Sequence, residues 1–342
     1  MSRERSTAVD ATVRAVAIPD APRGGWTPDD GARQDRYESA VETVLERDLP
    51  ALADAGRITI VPDAHYPFHP SSGVVTDPAV VGAIVAVLER RLDADLAVAG
   101  RSDETIAFDR TASALGYQSL LEGSGATLVD LAGEPTVERV LDADSVEANG
   151  DPAEERHASE ARRYSIPERL VEDAVIVVPS LRPTADGTVA GGMRTLSALV
   201  TTPTDDGLAG RDPGAVAAAA GRAIDPVATV LDATVADDGR PATTNHLFAG
   251  TTPAVDALGS SLLERPIEED AALRRAFGSE PAVGVESVAS GAEPDLASIR
   301  TRLDGGGLPP GDDTHPAVTA AYRLYAAVGG DAVPPQLEGG AR

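Results

Sequence analysis

The sequence predicts an α/β protein in which a mostly parallel sheet carries helices on both faces and is divided between two lobes. Short β-branched apolar runs such as Ile58–Val61 end at Pro or Gly, as buried strands do. Asp77-Pro78 is a helix start, and apolar residues then recur at helical spacing as far as Leu88. A second buried run, Leu96–Ala99, follows. Such a strand–helix–strand unit has parallel strands and places ligands beyond their carboxyl ends.

The flanking segments extend this alternation through the first lobe, residues 12–141, after a disordered N-terminus at residues 1–11. Thr12–Ile18 and Ala126–Leu131 have the apolar content of strands. Tyr37–Ala55 and Phe108–Leu121 have apolar residues at the spacing of amphipathic helices. This order is typical of a doubly wound sheet.

An acidic segment, residues 142–163, has little apolar content and is predicted to be a linker or a solvated hairpin. The second lobe spans residues 164–284 and repeats the alternation. Its predicted strands are Ala174–Val178, Val227–Leu231 and Leu247–Ala249, and its predicted helices are Ile166–Glu172, Met193–Val200, Ala215–Ile224 and Thr252–Leu263. Residues 285–342 form a Gly/Pro-rich extension with one helix at His315–Val328.

Composition excludes several classes of function. The net charge is −26, and every basic residue is Arg. This composition is typical of proteins from salt-loving archaea, whose acidic surfaces stay hydrated in a salt-filled cytosol. Without a basic stripe, we expect no nucleic-acid partner. The absence of Cys rules out disulfides, thiolate zinc sites and an iron–sulfur cluster on this chain. No signal peptide or membrane-spanning run is seen, so we expect no membrane contact and a cytoplasmic location.

The loop after the first buried strand of the central unit holds the first candidate residues, Asp63, His65 and His69. Carboxylate and imidazole groups bind metals or move protons, although prolines break any helix that would give the two histidines a fixed spacing. The alternative is that the loop simply packs through Tyr66 and Phe68. We assign no metal to these residues.

Other candidates follow the remaining strands and a helix start. Thr76, beside the Asp77 cap, could help the free N–H groups hold an anion, but capping alone is the favoured interpretation. Arg182 and Arg194 suit an anionic ligand, with surface ion pairing as the alternative. Asp232 ends a strand and is either a metal ligand, a base or a turn cap, and a buried Asp256 would need a partner.

In the order of these residues the chain resembles the domain of unknown function family 362, over about residues 12–265. The shared blocks are Val61-Pro62-Asp63, Thr76-Asp77-Pro78, the strand Asp173–Pro179 with Arg182, Thr184, Arg194 and Thr195 after it, and finally Asp232, Gly239, Pro241, Gly250, Pro253 and Asp256. Where the family has a Lys and a His, this chain has Val61 and Thr184. Some family members are joined to ferredoxin modules, which the lack of Cys excludes here.

Two functions follow from these observations. The first is a cytoplasmic enzyme acting on a small anionic metabolite, with a link to redox chemistry and to a separate redox partner implied by the resemblance. The second is a ligand-binding or accessory protein without catalysis, which the loss of the family's Lys and His favours. The catalytic residues and the cofactor are unknown at this point.

Overall fold

The structure is a computed structural model that describes residues 12–19, 30–103, 105–141, 162–201, 212–277, 283–288 and 294–304. Its strands are β1 (Thr12–Ala17), β2 (Arg57–Pro62), β3 (Asp95–Gly100), β4 (Thr127–Asp130), β5 (Thr136–Leu141), β6 (Arg162–Pro167), β7 (Ala174–Val178), β8 (Ala228–Asp237), β9 (Pro241–Gly250) and β10 (Gly284–Ser287). Its α-helices are α1 (Asp30–Leu45), α2 (Leu49–Ala53), α3 (Pro78–Arg91), α4 (Phe108–Ala114), α5 (Tyr117–Leu120), α6 (Arg169–Glu172), α7 (Gly192–Ser197), α8 (Pro213–Ile224), α9 (Thr252–Leu262), α10 (Ala271–Phe277) and α11 (Leu296–Asp304).

One eight-stranded sheet has the order β10-β1-β9-β8-β7-β2-β3-β4, and β5 pairs with β6 in a separate hairpin. Within the described part of this sheet only β9 runs against the other strands, because it is antiparallel to both β1 and β8. The α/β class with a mostly parallel sheet is therefore confirmed. The sheet is continuous across the two predicted lobes, since β2 pairs directly with β7, and the lobe boundaries stay a prediction.

Apolar residues alternate between the two faces of the sheet. Ile58 and Ile60 of β2 pack with α1 and α3 on one face. Val61 of the same strand packs with Val177 and with α7 and α8 on the other face. Successive side chains of a strand point to opposite faces of the sheet, and here apolar residues are buried on both faces. Helices therefore cover both sides of the sheet, as predicted.

Adjacent parallel strands bring four predicted strand ends to one edge. β3, β2, β7 and β8 are neighbours and run in the same direction. The loops that leave their carboxyl ends therefore start along a common rim, which is where ligands bind in open α/β sheets. We call this rim the carboxyl edge.

Two predicted long helices are each divided in two. The predicted helix Tyr37–Ala55 begins earlier, at Asp30, and breaks after Leu45. Pro50, in the first turn of the new helix α2, has no N–H to continue the hydrogen-bond ladder of α1. The predicted helix Phe108–Leu121 breaks at Gly116, whose φ of 83° is left-handed. The α5 helix starts directly after that glycine.

Differences in the second half concern strand lengths and the C-terminal region. Ile166-Pro167, predicted as helix, belongs to strand β6, and the helix starts at Arg169. β8 and β9 are each ten residues long, because they pair as a hairpin through the predicted turn at Asp237–Pro241. The strands β5 and β10 and the helices α10 and α11 were not predicted. Residues 1–11, most of the acidic linker and the predicted helix 315–328 lie outside the described residues. In the described ranges no helix is long and apolar enough to cross a membrane.

Candidate functional site

The loop between β2 and α3 is held over the carboxyl edge by backbone and threonine hydrogen bonds. The Asp63 N–H donates to the Val178 carbonyl at 3.0 Å, and the Thr76 N–H donates to the Asp63 carbonyl at 2.9 Å. The Thr76 hydroxyl oxygen also accepts from the Asp63 N–H at 2.9 Å. Gly73, at a φ of 70°, lies so close to β8 that an added Cβ would be 2.6 Å from the Ala236 carbonyl carbon. The loop is therefore fixed on β7 and β8.

Asp63 is the centre of a buried ion-pair cluster at this edge. Its Oδ2 accepts from Arg182 Nη2 at 2.9 Å and Nε at 3.1 Å, and from the Ser180 hydroxyl at 3.1 Å. His65 Nδ1 lies 3.0 Å from the other oxygen, Oδ1. Burial alone would raise the pKa of Asp63, but the Arg182 guanidinium and the His65 imidazole outweigh it and hold that pKa well below its ordinary range. Asp63 is therefore a permanent anion at neutral pH.

A second pair of buried carboxylates, Asp77 and Asp232, joins α3 to β8. The Asp77 N–H donates to Asp232 Oδ2 at 2.7 Å, and Thr234 donates to Asp232 Oδ1 from its N–H at 2.9 Å and from its hydroxyl at 2.6 Å. Burial and the nearby Asp77 carboxylate raise the pKa of Asp232 to about 6. All these contacts tie the β8 strand to the start of α3.

Asp77 also caps α3 and contacts α1. Its Oδ1 accepts from the Ala79 N–H at 3.0 Å, which confirms the predicted cap. Its Oδ2 accepts from the Tyr37 hydroxyl at 3.2 Å and from the Arg33 guanidinium. Burial, followed by the Asp77 charge, raises the pKa of Tyr37 above its ordinary value, so the phenol stays a donor.

A cavity of about 220 Å³ opens beside this cap. Its lining combines the polar groups of Arg33, His69 and Asp77 with apolar groups from the loop and from the α4–α5 region. The full lining is Arg33, Pro67, Phe68, His69, Pro70, Asp77, Pro78, Ala114, Leu115, Gly116 and Leu120. The predicted loop thus forms one wall of a concave site at the carboxyl edge.

One buried hydroxyl near this cavity has no hydrogen-bond partner. Tyr117 begins α5 directly after the cavity residue Gly116, and its phenol oxygen is buried without a partner. Burial, and then the carboxylates of Asp77, Asp232 and Asp63, raise the pKa of Tyr117 well above its ordinary value. The phenol is therefore an unused donor close to the carboxylates of the site.

Arg194 and Asp256 belong to a different cluster, next to α7. Arg194 Nη1 donates to the buried Asp270 carboxylate at 3.0 Å. Asp256 accepts the N–H groups of Gly192 and Met193 at 2.6 and 2.9 Å, and so satisfies the first turn of α7. Burial raises the pKa of Asp256 to about 7. These contacts are structural.

The structure therefore divides the predicted site residues into two groups. The carboxyl edge brings together Asp63, His65, His69, Thr76, Arg182 and Asp232. Arg194 and Asp256 have the contacts of the α7 cluster instead. Arg182 and Arg194 both pair with carboxylates, which matches the ion-pairing alternative, although both are mostly buried rather than exposed.

Sequence reasoning did not single out Arg33, Tyr37, Tyr117, Ser180 and Asp237. Tyr37 and Tyr117 were assigned only as members of helices, and the hydroxyl of each was not considered. Asp237 is a buried strand end whose pKa burial raises to about 6, and the Arg182 charge opposes this shift. It was not considered as a site residue because it lies in an Asp-Asp-Gly turn, where Asp usually serves only to form the turn.

Across the described ranges, no group of three or more His, Asp or Glu side chains is arranged to hold a metal ion. Asp63 Oδ2 and the Asp232 carboxylate accept from Arg, Ser, Thr and backbone donors, whereas the buried Asp63 Oδ1 accepts no hydrogen bond from the described residues.

Comparison with known proteins gives one match. No curated protein and no solved structure matches the chain. One family model matches residues 58–260, which is more than half of the chain and includes the loop over the carboxyl edge, the Asp63–Arg182 pair, Arg194 and Asp256, but not Asp270. The chain belongs to the family described as Domain of unknown function (DUF362).

Proposed function

We propose that this protein binds a small anionic metabolite with an apolar portion in the 220 Å³ cavity beside the Asp77 cap. The observation that carries the proposal is the lining of that cavity. Arg33 and His69 supply the polar end, and Phe68 and Leu115 belong to the apolar wall. The cavity combines polar and apolar groups at the carboxyl edge of an α/β sheet, which is where small-molecule sites are found in such folds.

The charges at the cavity favour an anion. The Asp77 carboxylate is already shared among the Ala79 N–H, the Tyr37 hydroxyl and Arg33, so its charge is dispersed over three donors. The Arg33 guanidinium carries several N–H groups in a planar fork and recognises carboxylate or phosphate well. Its side chain is 15% exposed and belongs to the lining of the cavity.

The volume limits the size of the ligand. A cavity of about 220 Å³ holds about seven waters at the ~30 Å³ that each occupies in the liquid. This is less than the space that drug-sized ligands occupy, which begins at ~300 Å³. The ligand class is therefore a small monocarboxylate or monophosphate rather than a nucleotide.

A thermal-shift screen in molar KCl tests the proposal. The panel is short-chain monocarboxylates, dicarboxylates and small phosphate monoesters, together with their uncharged amides and alcohols as matched controls. We expect a rise in Tm with at least one anion and none with its neutral counterpart, because the charge is recognised by Arg33. A screen in which no anion shifts Tm at millimolar concentration contradicts the proposal.

Two variants identify the site. Arg33→Gln is expected to weaken binding of the screened anion at least tenfold. Arg90→Gln is the matched control, because it removes the same charge from the far end of α3, where Arg90 pairs with exposed Glu38 and Glu42. Equal loss of binding in both variants would show a nonspecific charge effect and reject the cavity.

Three further predictions from the sequence stay proposals. The acidic, Arg-only composition supports a cytoplasmic location in a salt-rich cell. The separate redox partner is implied by the family resemblance alone. Binding is the function proposed for the cavity. A reaction on the bound ligand would need, in addition, a proton acceptor at the carboxyl edge.

A further inference from the structure

The imidazole of His65 is oriented by a buried carboxylate. Its Nδ1 lies 3.0 Å from Oδ1 of Asp63, whose side chain is 1% exposed, while the His65 side chain is 36% exposed. Asp63 is itself held by Arg182 and Ser180 through its other oxygen, Oδ2. The carboxylate is therefore fixed through Oδ2, and Oδ1 is left facing the imidazole, which is the member of this set with the largest exposed surface.

This arrangement selects one tautomer of His65. A carboxylate accepts and does not donate, so the Nδ1 that faces it carries the proton. In the neutral imidazole the lone pair is then on Nε2, the ring nitrogen on the side away from Asp63. A carboxylate that orients an imidazole in this way also stabilises the imidazolium that forms when Nε2 takes a proton.

We propose that His65 is a proton acceptor at the carboxyl edge, a general base, with Asp63 as its positioning residue. In the step, the Nε2 lone pair removes a proton from an O–H or an acidic C–H of a bound molecule. The bonding electrons stay on that oxygen or carbon, and the imidazolium is balanced by the Asp63 anion. The same Nε2 then returns the proton to the product or to water, so no oxidant or reductant is consumed.

Arg182 shares the Asp63 carboxylate through Oδ2, opposite the oxygen that faces His65, and lies close enough to Asp237 to oppose the rise in its pKa. A metal-binding role for His65 is less well supported, because no group of three metal-binding side chains exists in the described parts of the chain. The proposal goes beyond ligand binding and needs no ligand to be tested.

The tautomer of His65 in the wild-type protein is the first test. We expect ¹⁵N NMR at pH 8.5, above the ~6.5 of an ordinary imidazole, to show a proton on Nδ1 and a bare Nε2. His69 in the same loop is an internal control with the opposite tautomer, because its Nδ1 accepts the Ser71 N–H at 3.2 Å. Signals are assigned with the His65→Gln and His69→Gln variants. A proton on Nε2 of His65 at this pH overturns the proposal.

Reactivity of the Nε2 lone pair is the second test. Diethyl pyrocarbonate acylates neutral imidazole nitrogens, and peptide mapping gives the rate for each histidine. We expect His65 to react at least fivefold faster than His69, whose lone pair on Nδ1 is blocked by Ser71. In Asp63→Asn, checked to be folded, the rate at His65 falls and its single tautomer becomes a mixture. Equal rates at His65 and His69 in the wild type overturn the proposal without any variant.

These tests separate the proton acceptor from the binding site. Arg33→Gln is expected to lose the anion and keep the tautomer and the reactivity of His65. His65→Gln is expected to lose that reactivity and keep the anion-induced rise in Tm. The two variants can therefore show that one of the two proposals is wrong while the other still holds.

Discussion

Two buried Asp–Arg pairs in this protein have similar geometry, and we propose different roles for them. In the first, Arg182 pairs with Asp63 at 2.9 Å, and in the second, Arg194 pairs with Asp270 at 3.0 Å. Both aspartates are almost fully buried. The difference lies in what else each carboxylate contacts. Asp63 faces the partly exposed His65, whereas Asp270 accepts the N–H of Ala272 and caps α10.

The comparison shows that a buried ion pair is not by itself a functional site. In the α7 cluster every carboxylate contact ends on a backbone N–H or on Arg194, so the cluster fixes helices. At the carboxyl edge the same kind of pair leaves an imidazole at the surface, near a loop that also lines a cavity. We therefore expect changes in the first cluster to alter function and changes in the second to alter stability only.

The largest effect on stability is expected from Asp63→Ala, which leaves the mostly buried Arg182 without its partner. Loss of one member of a buried pair costs about 3–5 kcal/mol in free energy of unfolding. Denaturant unfolding in constant KCl measures it. The double variant Asp63→Leu with Arg182→Met removes both charges and should recover most of the loss. A loss under about 1 kcal/mol for Asp63→Ala would show that the pair is not buried as described.

Arg194→Met should cost less, about 2–3 kcal/mol, because Asp270 keeps its helix-cap hydrogen bonds when the guanidinium is removed. Anion binding should stay within twofold of wild type. Loss of binding in a folded Arg194→Met protein would place the α7 cluster in the functional site and end the distinction between the two clusters.

The pH dependence of stability should reveal the raised carboxyl pKa values. Burial raises the pKa of Asp256 to about 7 and those of Asp232 and Asp237 to about 6, whereas an unfolded Asp has a pKa of ~3.9. The folded protein therefore binds more protons between these values, and the free energy of unfolding falls as the pH rises from about 4 to about 7. Asp63 has a lowered pKa, so the stability that it contributes is lost as the pH falls. This loss occurs only below about pH 4.

In Asp256→Asn, the difference in free energy of unfolding between pH 5 and pH 8 should be smaller than in wild type by roughly 1–3 kcal/mol, because the asparagine has no proton to lose. Unfolding free energies at pH 5 and pH 8, at one salt concentration, measure the change. Asp225→Asn, a change at the exposed C-terminus of α8, is the control and should leave the slope unchanged. A wild-type protein that is more stable at pH 8 than at pH 5 would contradict the assigned direction.

The smallest effect on stability is expected from Ala114→Trp, which places a large ring at the mouth of the cavity. Ala114 is exposed, so the free energy of unfolding should change by no more than ~0.5 kcal/mol. Anion binding should weaken at least tenfold, because the indole occupies the ligand space. Ser113→Trp, at the preceding exposed residue outside the cavity lining, is the matched control. Unchanged affinity in Ala114→Trp would reject the cavity as the binding site.

Much of the fold was predictable because its signals are local. The strand Ala174–Val178 and the Asp77-Pro78 helix start were confirmed, since apolar runs, caps and prolines act within a few residues. The break at Gly116 was missed because a glycine inside a helical pattern is often tolerated. The extended hairpin of β8 and β9 was underestimated because its polar residues are satisfied only by pairing between strands.

Some residues of the candidate site were named from the sequence, but their pairings were not. Asp63 and Arg182 were both identified as ligand groups, yet they bind one another across 119 positions of the chain. Arg33 was not identified because nothing local distinguishes it from other surface arginines. Only the packing of α1 on α3 brings it to Asp77.

The placement of the functional site at the carboxyl edge, away from the α7 cluster, is tested most directly by calorimetric titration of the best anion from the screen into three proteins. Wild type and Arg194→Met are expected to bind it with dissociation constants within twofold of each other, and Arg33→Gln is expected to bind at least tenfold more weakly. Equal weakening in Arg194→Met and Arg33→Gln, with both proteins folded, would contradict the placement of the functional site at the carboxyl edge.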